Sequence, residues 1–393
     1  MSTHAALVVP APGQMLVESV QTKAPQAGEM LVAPLYTGIC GSDLDVLRGV
    51  RPSNTRILGH EGVAEVVAVG PGVTDFSIGQ HVTFWPNNPN DLDDVLGVST
   101  EGLFQQRLLI SRAAMERGMV LPLDAGISLV CAPLLEPFAT VIYGQRLIEQ
   151  VRTPESLMIV GAGPIGLLNA LYARARGCPR VFLVDTSQAR LDWAASRGIV
   201  DDSHVLLSSS QLADIVLERT AGRGVDAACL CTPRSSTRSA LAQALRYVRE
   251  EGCIELAAGV ASREELPELP GVDLNAIRDA NVCGLGHLVS QHTTRAGKRL
   301  WLTGHSGASA HYLHEAMHLV LNEPASYARI ISHVVSYRAA PRVIEQLLSG
   351  RSPVVADAPR VKVIVDFTND AEQIDAFDPT AHGRTNVFER LRG

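Results

Sequence analysis

The chain has 393 residues, more than one ordinary domain holds and enough for two domains with their own hydrophobic cores. Hydrophobic residues make up 46% of the chain and charged residues 19%, which excludes a disordered or fibrous protein. The formal net charge is −7 and no basic stripe is visible, so neither nucleic acid nor an anionic membrane is expected as a partner.

Neither a signal peptide nor a run of roughly 20 apolar residues, the length that spans a bilayer, can be recognised. Lysine occurs only as Lys23, Lys298 and Lys362, which we interpret as codon bias rather than function. The cysteines are odd in number and scattered, so they predict no disulfide framework; they are Cys40, Cys131, Cys178, Cys229, Cys231, Cys253 and Cys283. We therefore expect a cytoplasmic protein with reduced thiols.

Short strands dominate the sequence from the start to about residue 110. Residues 30–36 and 62–70 are apolar or near-alternating and rich in β-branched side chains, and Pro71-Gly72 and Ile78-Gly79 mark turns. This pattern predicts an antiparallel, barrel-like β-domain. The interval 87–102 is rich in Asn, Asp, Pro and Gly and has no strand period, so a loop is predicted there.

From about residue 128 the pattern changes to alternating helices and strands. A helix is predicted over 129–150, although Pro133 and Pro137 interrupt its start. The segments that follow are strands 156–160, 180–184, 226–231 and 253–257 and helices 167–176 and 236–248. Such alternation predicts a parallel sheet with helices on both faces, extending to about residue 290.

The last part of the chain carries two further helical patterns, a strand and a polar tail. Helices are predicted over 311–321 and 339–348, and a closing strand over 361–367. The residues from Thr368 onward are polar and charged, which is compatible with a loose tail or with a packed arm.

A glycine motif follows the strand 156–160 and opens the next helix: Gly161-Ala162-Gly163-Pro164-Ile165-Gly166. The first glycine permits a tight turn, the second lets the backbone approach a pyrophosphate, and the third lets helix and strand pack closely. The helix N-terminus offers free N–H groups to phosphates. A tight turn in an unrelated α/β sheet is the alternative, but the strand–turn–helix context favours a dinucleotide site.

An acidic residue, Asp185, stands at the end of the next predicted strand, 19 positions after Gly166. A carboxylate there can accept hydrogen bonds from both ribose hydroxyls and would repel a 2′-phosphate, which favours NAD over NADP. Arg190 lies close enough to neutralise Asp185 or to bind beside the adenine ribose, and arginines in this region bind the 2′-phosphate of NADP. Cofactor-binding candidates are therefore the glycine motif, Asp185 and Arg190.

Possible metal ligands are Cys40, in Gly38-Ile39-Cys40-Gly41-Ser42-Asp43, and His60 and Glu61, in Gly59-His60-Glu61. A thiolate, an imidazole and a carboxylate are the ligand types that zinc prefers. Glu136 is a carboxylate in an apolar segment, which is costly unless it is paired or metal-bound. Taken singly, each residue also has an ordinary explanation as a small buried thiol, a core histidine or a charge at a helix start.

Two further side chains are placed to assist. Asp43 is the local carboxylate best placed to fix the tautomer of His60. The hydroxyl of Ser42 is close enough to Cys40 in sequence to take the proton of an alcohol, although a serine in a turn commonly bonds its own backbone.

These motifs resemble those of the zinc-dependent medium-chain dehydrogenase/reductase family, over about residues 5–367. Glu136-Pro137, where simple alcohol dehydrogenases have a cysteine, makes the sorbitol- and glucose-type members the most similar. The other marks are the two ligand segments above, Val69-Gly70-Pro71-Gly72-Val73, Gly79-Gln80-His81-Val82 and the glycine motif.

The resemblance implies an α/β protein built from two domains. A GroES-like, β-rich catalytic domain is expected at residues 1–145, completed by about 300–393, and a Rossmann doubly wound parallel sheet that binds NAD at 146–299. It implies one catalytic zinc per chain in the cleft between them, held by Cys40 and His60 with Glu61 or Glu136 completing the shell. Relatives are dimers or tetramers, so a homodimer or homotetramer is expected.

The chain departs from the family pattern in three places. The segment from Trp85 to Gly102 has no cysteine, so the structural zinc of many relatives is expected to be absent. Its acidic part, residues 87–94, is either a solvated loop or a segment reaching the cleft or a partner subunit. Asp45 replaces the proton-relay histidine of many relatives, so proton exit is expected through Ser42, the ribose and Asp45, or through water. The tail beyond Phe367 is longer than the family norm.

The favoured function is a zinc- and NAD-dependent oxidoreductase that moves a hydride between the nicotinamide and a secondary alcohol of a sugar, polyol or cyclitol type. Its catalytic candidates are Cys40, Ser42, Asp45 and His60. Two alternatives remain open at this point: a metal-free reductase of activated alkenes or quinones from the same superfamily, and a non-catalytic protein that reuses the fold.

Overall fold

The computed structural model describes residues 2–261, 265–349, 354–355 and 358–382. The chain divides into two compact units: Met1–Pro137 together with Leu313–Gly393, and Phe138–Tyr312. Among the described residues, no helix is both long enough and apolar enough to cross a membrane.

The β-strands are, in chain order, β1 (Thr3–Val8), β2 (Leu16–Gln21), β3 (Met30–Gly38), β4 (Glu61–Val69), β5 (His81–Phe84), β6 (Asn87–Asn88), β7 (Asp91–Val95), β8 (Leu108–Ile110), β9 (Val120–Pro122), β10 (Ser156–Val160), β11 (Arg180–Asp185), β12 (Val205–Leu207), β13 (Val225–Leu230), β14 (Val248–Leu256), β15 (Ser290–Thr293), β16 (Arg299–Gly304), β17 (Ile331–Ser336), β18 (Val354–Val355), β19 (Ala358–Pro359), β20 (Lys362–Asp366) and β21 (Ile374–Ala376).

The α-helices are α1 (Gly41–Leu47), α2 (Arg112–Glu116), α3 (Leu135–Glu149), α4 (Pro164–Ala175), α5 (Gln188–Ser196), α6 (Leu212–Arg219), α7 (Thr237–Tyr247), α8 (Leu274–Asp279), α9 (Ala310–Asn322), α10 (Pro324–Ala328), α11 (Ala340–Ser349) and α12 (Pro379–His382). Short 3-10 turns cover Ala132–Leu134, Asp202–His204 and Arg234–Ser236.

The first unit is built on a sheet in the order β21-β17-β20-β3-β4-β5-β9, with β8 also paired to β3. Its pairs are antiparallel except for β17 and β20, which run parallel. Strands β3 and β4 are the longest neighbours, and their register sets Gly38 opposite Glu61. The end of β3 and the start of β4 therefore lie side by side, which brings together two segments that are distant in sequence.

The second unit is a sheet in the order β12-β11-β10-β13-β14-β16-β15. All its pairs are parallel except β15 with β16. One face carries apolar side chains such as Met158, Leu230 and Ile254, which share a core with Val216 of α6 and Leu241 of α7. The strand order reverses between β10 and β13, and in doubly wound sheets a dinucleotide binds at the carboxyl ends of the strands at such a point.

The structure corrects the loop predicted over 87–102, because β6 and β7 form a small antiparallel hairpin within it. Side-chain polar contacts hold this hairpin: Asn88 Nδ2 donates to Asp94 Oδ2 (2.9 Å), and Asn90 N donates to Asn88 Oδ1 (2.9 Å). A hairpin held by amides and carboxylates shows no alternating apolar pattern, so the hydrophobic period does not reveal it.

Part of the polar tail after Phe367 packs on the first unit. Strand β21 pairs with β17, with Ile374 opposite Val335 and Ala376 opposite His333. Residues 374–376 thus form the edge of the main sheet, which favours the packed arm over the loose tail for this part. The end of the tail, residues 383–393, lies outside the described residues.

Candidate metal and cofactor sites

Cys40 follows β3 directly and is the N-cap of α1, with an extended backbone (φ −97°, ψ 154°). Its N–H donates to Asp43 Oδ2 (2.9 Å), which fixes the first turn of the helix. Gly38 makes the close packing possible, because a Cβ there would lie 2.6 Å from Glu61 Oε2 and 2.7 Å from Lys362 Nζ.

The buried carboxylate of Asp43 also holds the segment that carries His60. It accepts a hydrogen bond from Gly59 N (3.4 Å), and its Oδ1 lies 3.6 Å from His60 Nδ1. The other ring nitrogen, His60 Nε2, lies 3.4 Å from Ser42 Oγ. Asp43 is therefore the carboxylate next to the imidazole, and Ser42 stands on the opposite side of the ring.

Glu61 begins β4 and is 2% exposed. Its Oε2 forms a short ion pair with Lys362 Nζ, and Lys362 also donates to the carbonyl oxygen of Ile39 (3.3 Å). Lys362 is 1% exposed, so this is a buried ion pair rather than a surface contact. Codon bias therefore does not explain Lys362, and a lysine inside the apolar run 361–367 is a visible signal of its buried role.

Among the described residues, one ligand atom each of Cys40, His60 and Glu61 lies within 4.8 Å of the other two. Ligands of a tetrahedral zinc at 2.0–2.3 Å from the ion are about 3.5 Å apart, so small movements would close the cluster around an ion. One sulfur, one nitrogen and one oxygen, all at buried or partly buried residues, also fit zinc by ligand type. Glu136 is not a member of this group.

Burial and the neighbouring charges shift the pKa values of the titratable groups in the cluster. Burial raises the pKa of the Cys40 thiol, and the neighbouring Glu61 carboxylate raises it further. Burial also raises the pKa of Asp43. For His60, burial opposes the charged ring, but Asp43 and Cys40 outweigh it and raise the pKa to about 10. A divalent cation would reverse this balance and favour the deprotonated ligands, so the residues present fit a metal ion.

Glu136 lies in the first turn of α3 and is partly buried. Burial raises its pKa to about 7, and His60, Glu61, Lys362 and Asp43 are the charged groups that act on it. The structure thus brings Glu136 into the electrostatic neighbourhood of the cluster without placing its oxygens among the three converging ligand atoms.

Asp45 lies one turn into α1, and its Oδ1 is 3.7 Å from Arg48 Nη1. About a quarter of its side chain is exposed. Asp45 is thus on the same short helix as Ser42 but is paired with an arginine at the helix end.

In the second unit, the glycine motif has the geometry that a pyrophosphate site needs. Gly161 adopts a positive φ of 114°, and a Cβ there would lie 2.4 Å from the carbonyl oxygen of Cys231. A Cβ on Gly166 would lie 1.8 Å from the carbonyl oxygen of Gly161. Gly163 is the N-cap of α4, with Pro164 following it and open space around its Cα. The N-terminus of α4 is therefore open to an anion.

Asp185 ends β11 beside this loop. Its Oδ2 accepts a hydrogen bond from Ala162 N (2.7 Å) and its Oδ1 one from Ser187 N (2.8 Å). Each carboxylate oxygen keeps a further lone pair for a ribose hydroxyl. Ile165 lies in the first turn of α4, where its carbonyl accepts from Asn169 Nδ2 (3.0 Å), and Arg190 is partly buried in α5.

Two family models match the chain. The first, described as an alcohol dehydrogenase GroES-like domain, matches residues 26–117, and the second, described as a zinc-binding dehydrogenase, matches residues 164–297. Together they cover more than half of the chain; the first includes the ligand cluster, and the second begins within the glycine motif, at Pro164.

The chain is similar to L-galactonate-5-dehydrogenase of Escherichia coli K12, with 33% identity over 50% of this chain and 60% of that protein. It is also similar to sorbitol dehydrogenase of Bacillus subtilis 168, with 29% identity over 61% of this chain and 70% of that protein. The match to the galactonate enzyme thus spans about three-fifths of that enzyme's length.

Among solved structures, an alcohol dehydrogenase from Thermotoga maritima superposes with a TM-score of 0.70 at 19% identity, covering 93% of this chain and 100% of that one. The match supports the fold. With the two family models, it confirms the expected fold class of a GroES-like domain joined to a Rossmann sheet.

Proposed function

Since the chain belongs to the zinc-dependent medium-chain dehydrogenase/reductase family, we propose that it is a zinc- and NAD-dependent oxidoreductase that moves a hydride between a secondary alcohol and the nicotinamide. The single observation that carries this proposal is the convergence of Cys40, His60 and Glu61 ligand atoms within 4.8 Å.

In this proposal Cys40, His60 and Glu61 hold one zinc ion per chain. A zinc ion bound there would act as a Lewis acid and lower the pKa of the substrate hydroxyl. Asp43 orients the imidazole of His60, and Lys362 holds Glu61 in place while balancing its charge. Glu136 stands next to the cluster as a fourth acidic group, available to a water molecule or to the ion.

The proton released by the alcohol leaves through side chains of α1. Ser42 Oγ lies 3.4 Å from His60 Nε2, which places the hydroxyl beside the ligand cluster, where it can accept that proton while it passes its own proton to the cofactor ribose or to water. Asp45, one helical turn further, is a partly exposed carboxylate from which the proton can reach water, and Arg48 is the cation beside it.

The cofactor is held by the second unit. The N-terminus of α4 and the open backbone at Gly163 bind the pyrophosphate, while Asp185 binds the ribose hydroxyls. Nicotinamide supplies the hydride chemistry, and the protein supplies position and charge. A carboxylate at the ribose favours NAD over NADP. Arg190 lies near Asp185 in the sequence and would oppose this preference if it bound a 2′-phosphate.

The substrate is a polar secondary alcohol. Relatives are named for L-galactonate, sorbitol and D-xylulose, and a buried acidic metal site suits a hydroxyl-rich molecule. We therefore propose a sugar, polyol or cyclitol type of substrate.

The experiment is metal analysis and kinetics on Cys40→Ser, with Cys178→Ser as a control that removes a cysteine from the other unit. Cys40→Ser should lose zinc and turnover but keep NADH binding, while the control keeps all three. Full activity in a zinc-free Cys40→Ser protein would refute the proposal. A metal-free native protein that reduces alkenes or quinones would support the reductase alternative. Bound zinc and NAD without NADH formation on any alcohol would support a non-catalytic protein.

A further inference from the structure

The segment that follows α1 is fixed to the end of that helix. Gly49 turns the chain with a positive φ of 70°, and the N–H groups of Val50 and Arg51 both donate to the carbonyl oxygen of Asp45 (2.9 and 3.1 Å). The backbone of Arg51 is therefore held against the C-terminal end of the helix whose N-terminus carries Cys40.

Three arginines lie in this part of the sequence, Arg48, Arg51 and Arg56, and two of them have an acidic side chain as a partner. Arg48 Nη1 lies 3.7 Å from Asp45, and Arg56 Nη2 donates to Glu18 Oε1 (3.2 Å). Arg51 is partly buried, yet within the described part of the chain no ion pair or side-chain hydrogen bond involves its guanidinium. The chain has more acidic residues (41) than basic ones (34), so a shortage of acids does not explain why this cation lacks a carboxylate partner.

The length of α1 separates the backbone of Arg51 from Cys40. Helix α1 has seven residues, and at 1.5 Å per residue it is about 10 Å long. Cys40 immediately precedes the helix and Arg51 is bound at its far end. A guanidinium reaching back along the helix would meet the end of a hexose-length chain whose reacting hydroxyl lies at the cluster.

We propose that the substrate alcohol carries an oxyanion, either a carboxylate or a phosphate ester, and that Arg51 binds it. The planar guanidinium offers two parallel N–H donors that match both oxyanions, and the substrate would supply the counter-ion that the described residues do not. A partly buried charge is costly while unpaired, so binding of the anion also removes that cost. This inference rests on the proposed dehydrogenase function and narrows its substrate class.

The test compares three alcohols with one carbon skeleton: the neutral polyol, its sugar acid and its terminal phosphate ester. NADH formation is measured for the native enzyme, Arg51→Gln, Arg51→Lys and the control Arg56→Gln, and zinc content is measured in all four. Arg51→Gln should lower kcat/KM for the preferred anionic substrate about 10- to 100-fold, through a higher KM with kcat nearly unchanged. It should leave the neutral polyol unaffected. Arg51→Lys should recover part of the loss, and Arg56→Gln should behave as native.

The two anionic arms decide whether the oxyanion is a carboxylate or a phosphate. If the neutral polyol is the best substrate and Arg51→Gln changes none of the three, the inference is overturned while the dehydrogenase function stands. An equal loss on all three substrates would assign Arg51 a structural role and would also overturn it. If the native, zinc-loaded enzyme oxidises no alcohol in a wider panel, the proposed function fails first and this inference fails with it.

Discussion

The buried ion pair between Lys362 and Glu61 leads to a prediction for Lys362→Met. Without zinc this variant should be less stable than the native protein, and it should bind zinc more tightly than the native protein does. In the metal-free protein Lys362 is the counter-ion of Glu61, and the two side chains are 1% and 3% exposed. Lys362→Met keeps the length of the side chain and removes the charge. Glu61 then stays buried beside Cys40 and Asp43 without the lysine it is paired with, and His60 is the cation that remains in the cluster.

The expected cost is that of breaking a buried ion pair by removing one partner, about 3–5 kcal/mol of unfolding free energy. No reduction for solvent screening applies, because both side chains are almost fully buried. A bound zinc ion would replace the lost positive charge next to Glu61. The zinc-loaded variant should therefore lose less stability than the metal-free variant, and by linkage the difference appears as tighter zinc binding.

The assay is urea unfolding of the first unit's signal in excess chelator and in excess zinc, for the native protein and Lys362→Met. Lys298→Met is the matched control, since Lys298 donates to the carbonyl oxygens of Leu245 and Val248 rather than to an acid. The double variant Lys362→Met/Glu61→Gln should recover most of the stability lost in chelator. The reasoning is refuted if Lys362→Met is as stable as the native protein in chelator, or if zinc protects it no more than it protects the native protein.

Three other predictions test the two sites. Gly166→Ala should abolish NADH binding in a fluorescence titration with zinc content unchanged, because its Cβ would lie 1.8 Å from a backbone carbonyl; Gly163→Ala, in open space, should fold normally and show weaker binding only. Asp185→Asn should lower kcat/KM for NAD about 10-fold and reduce the ratio of kcat/KM for NAD to that for NADP. An unchanged ratio would argue against a contact between Asp185 and the ribose. Glu61→Gln should release zinc at a lower chelator concentration than Glu136→Gln, and the reverse order would make Glu136 the third ligand.

The second unit is the easier part to predict because its order is local. The strand predicted over 156–160 has the bounds of β10, since an apolar run of strand length directly before a glycine turn has few other uses. The helix predicted over 311–321, most of which belongs to the first unit, differs from α9 by one residue at each end, because its apolar side chains recur at helical spacing. The hairpin over 87–95 escapes prediction because Asn88 and Asp94 hold it by polar contacts, and no hydrophobic period marks such a strand.

In the candidate site, the metal ligands can be predicted from the sequence, but the residue that pairs with Glu61 cannot. Cys40, His60 and Glu61 lie within short motifs, so ligand chemistry together with the family resemblance singles them out. Lys362 is 301 residues from Glu61 in the chain, and only the pairing of β20 with β3 and of β3 with β4 brings the two together.

The cost of burying an unpaired charge adds a further constraint on which residues lie together. A lysine is rarely fully buried unless an acid is buried with it, so the burial of Lys362 in the structure calls for a buried carboxylate nearby. The candidates for that carboxylate are the acids in apolar or glycine-flanked segments, Asp43, Glu61 and Glu136, which ligand chemistry also places near a metal. Of these acids, Glu61 is the one that pairs with Lys362, which brings a C-terminal strand to the ligand cluster. The same need at Arg51 is the basis for expecting an anionic substrate, since the described residues supply no acidic partner for its guanidinium.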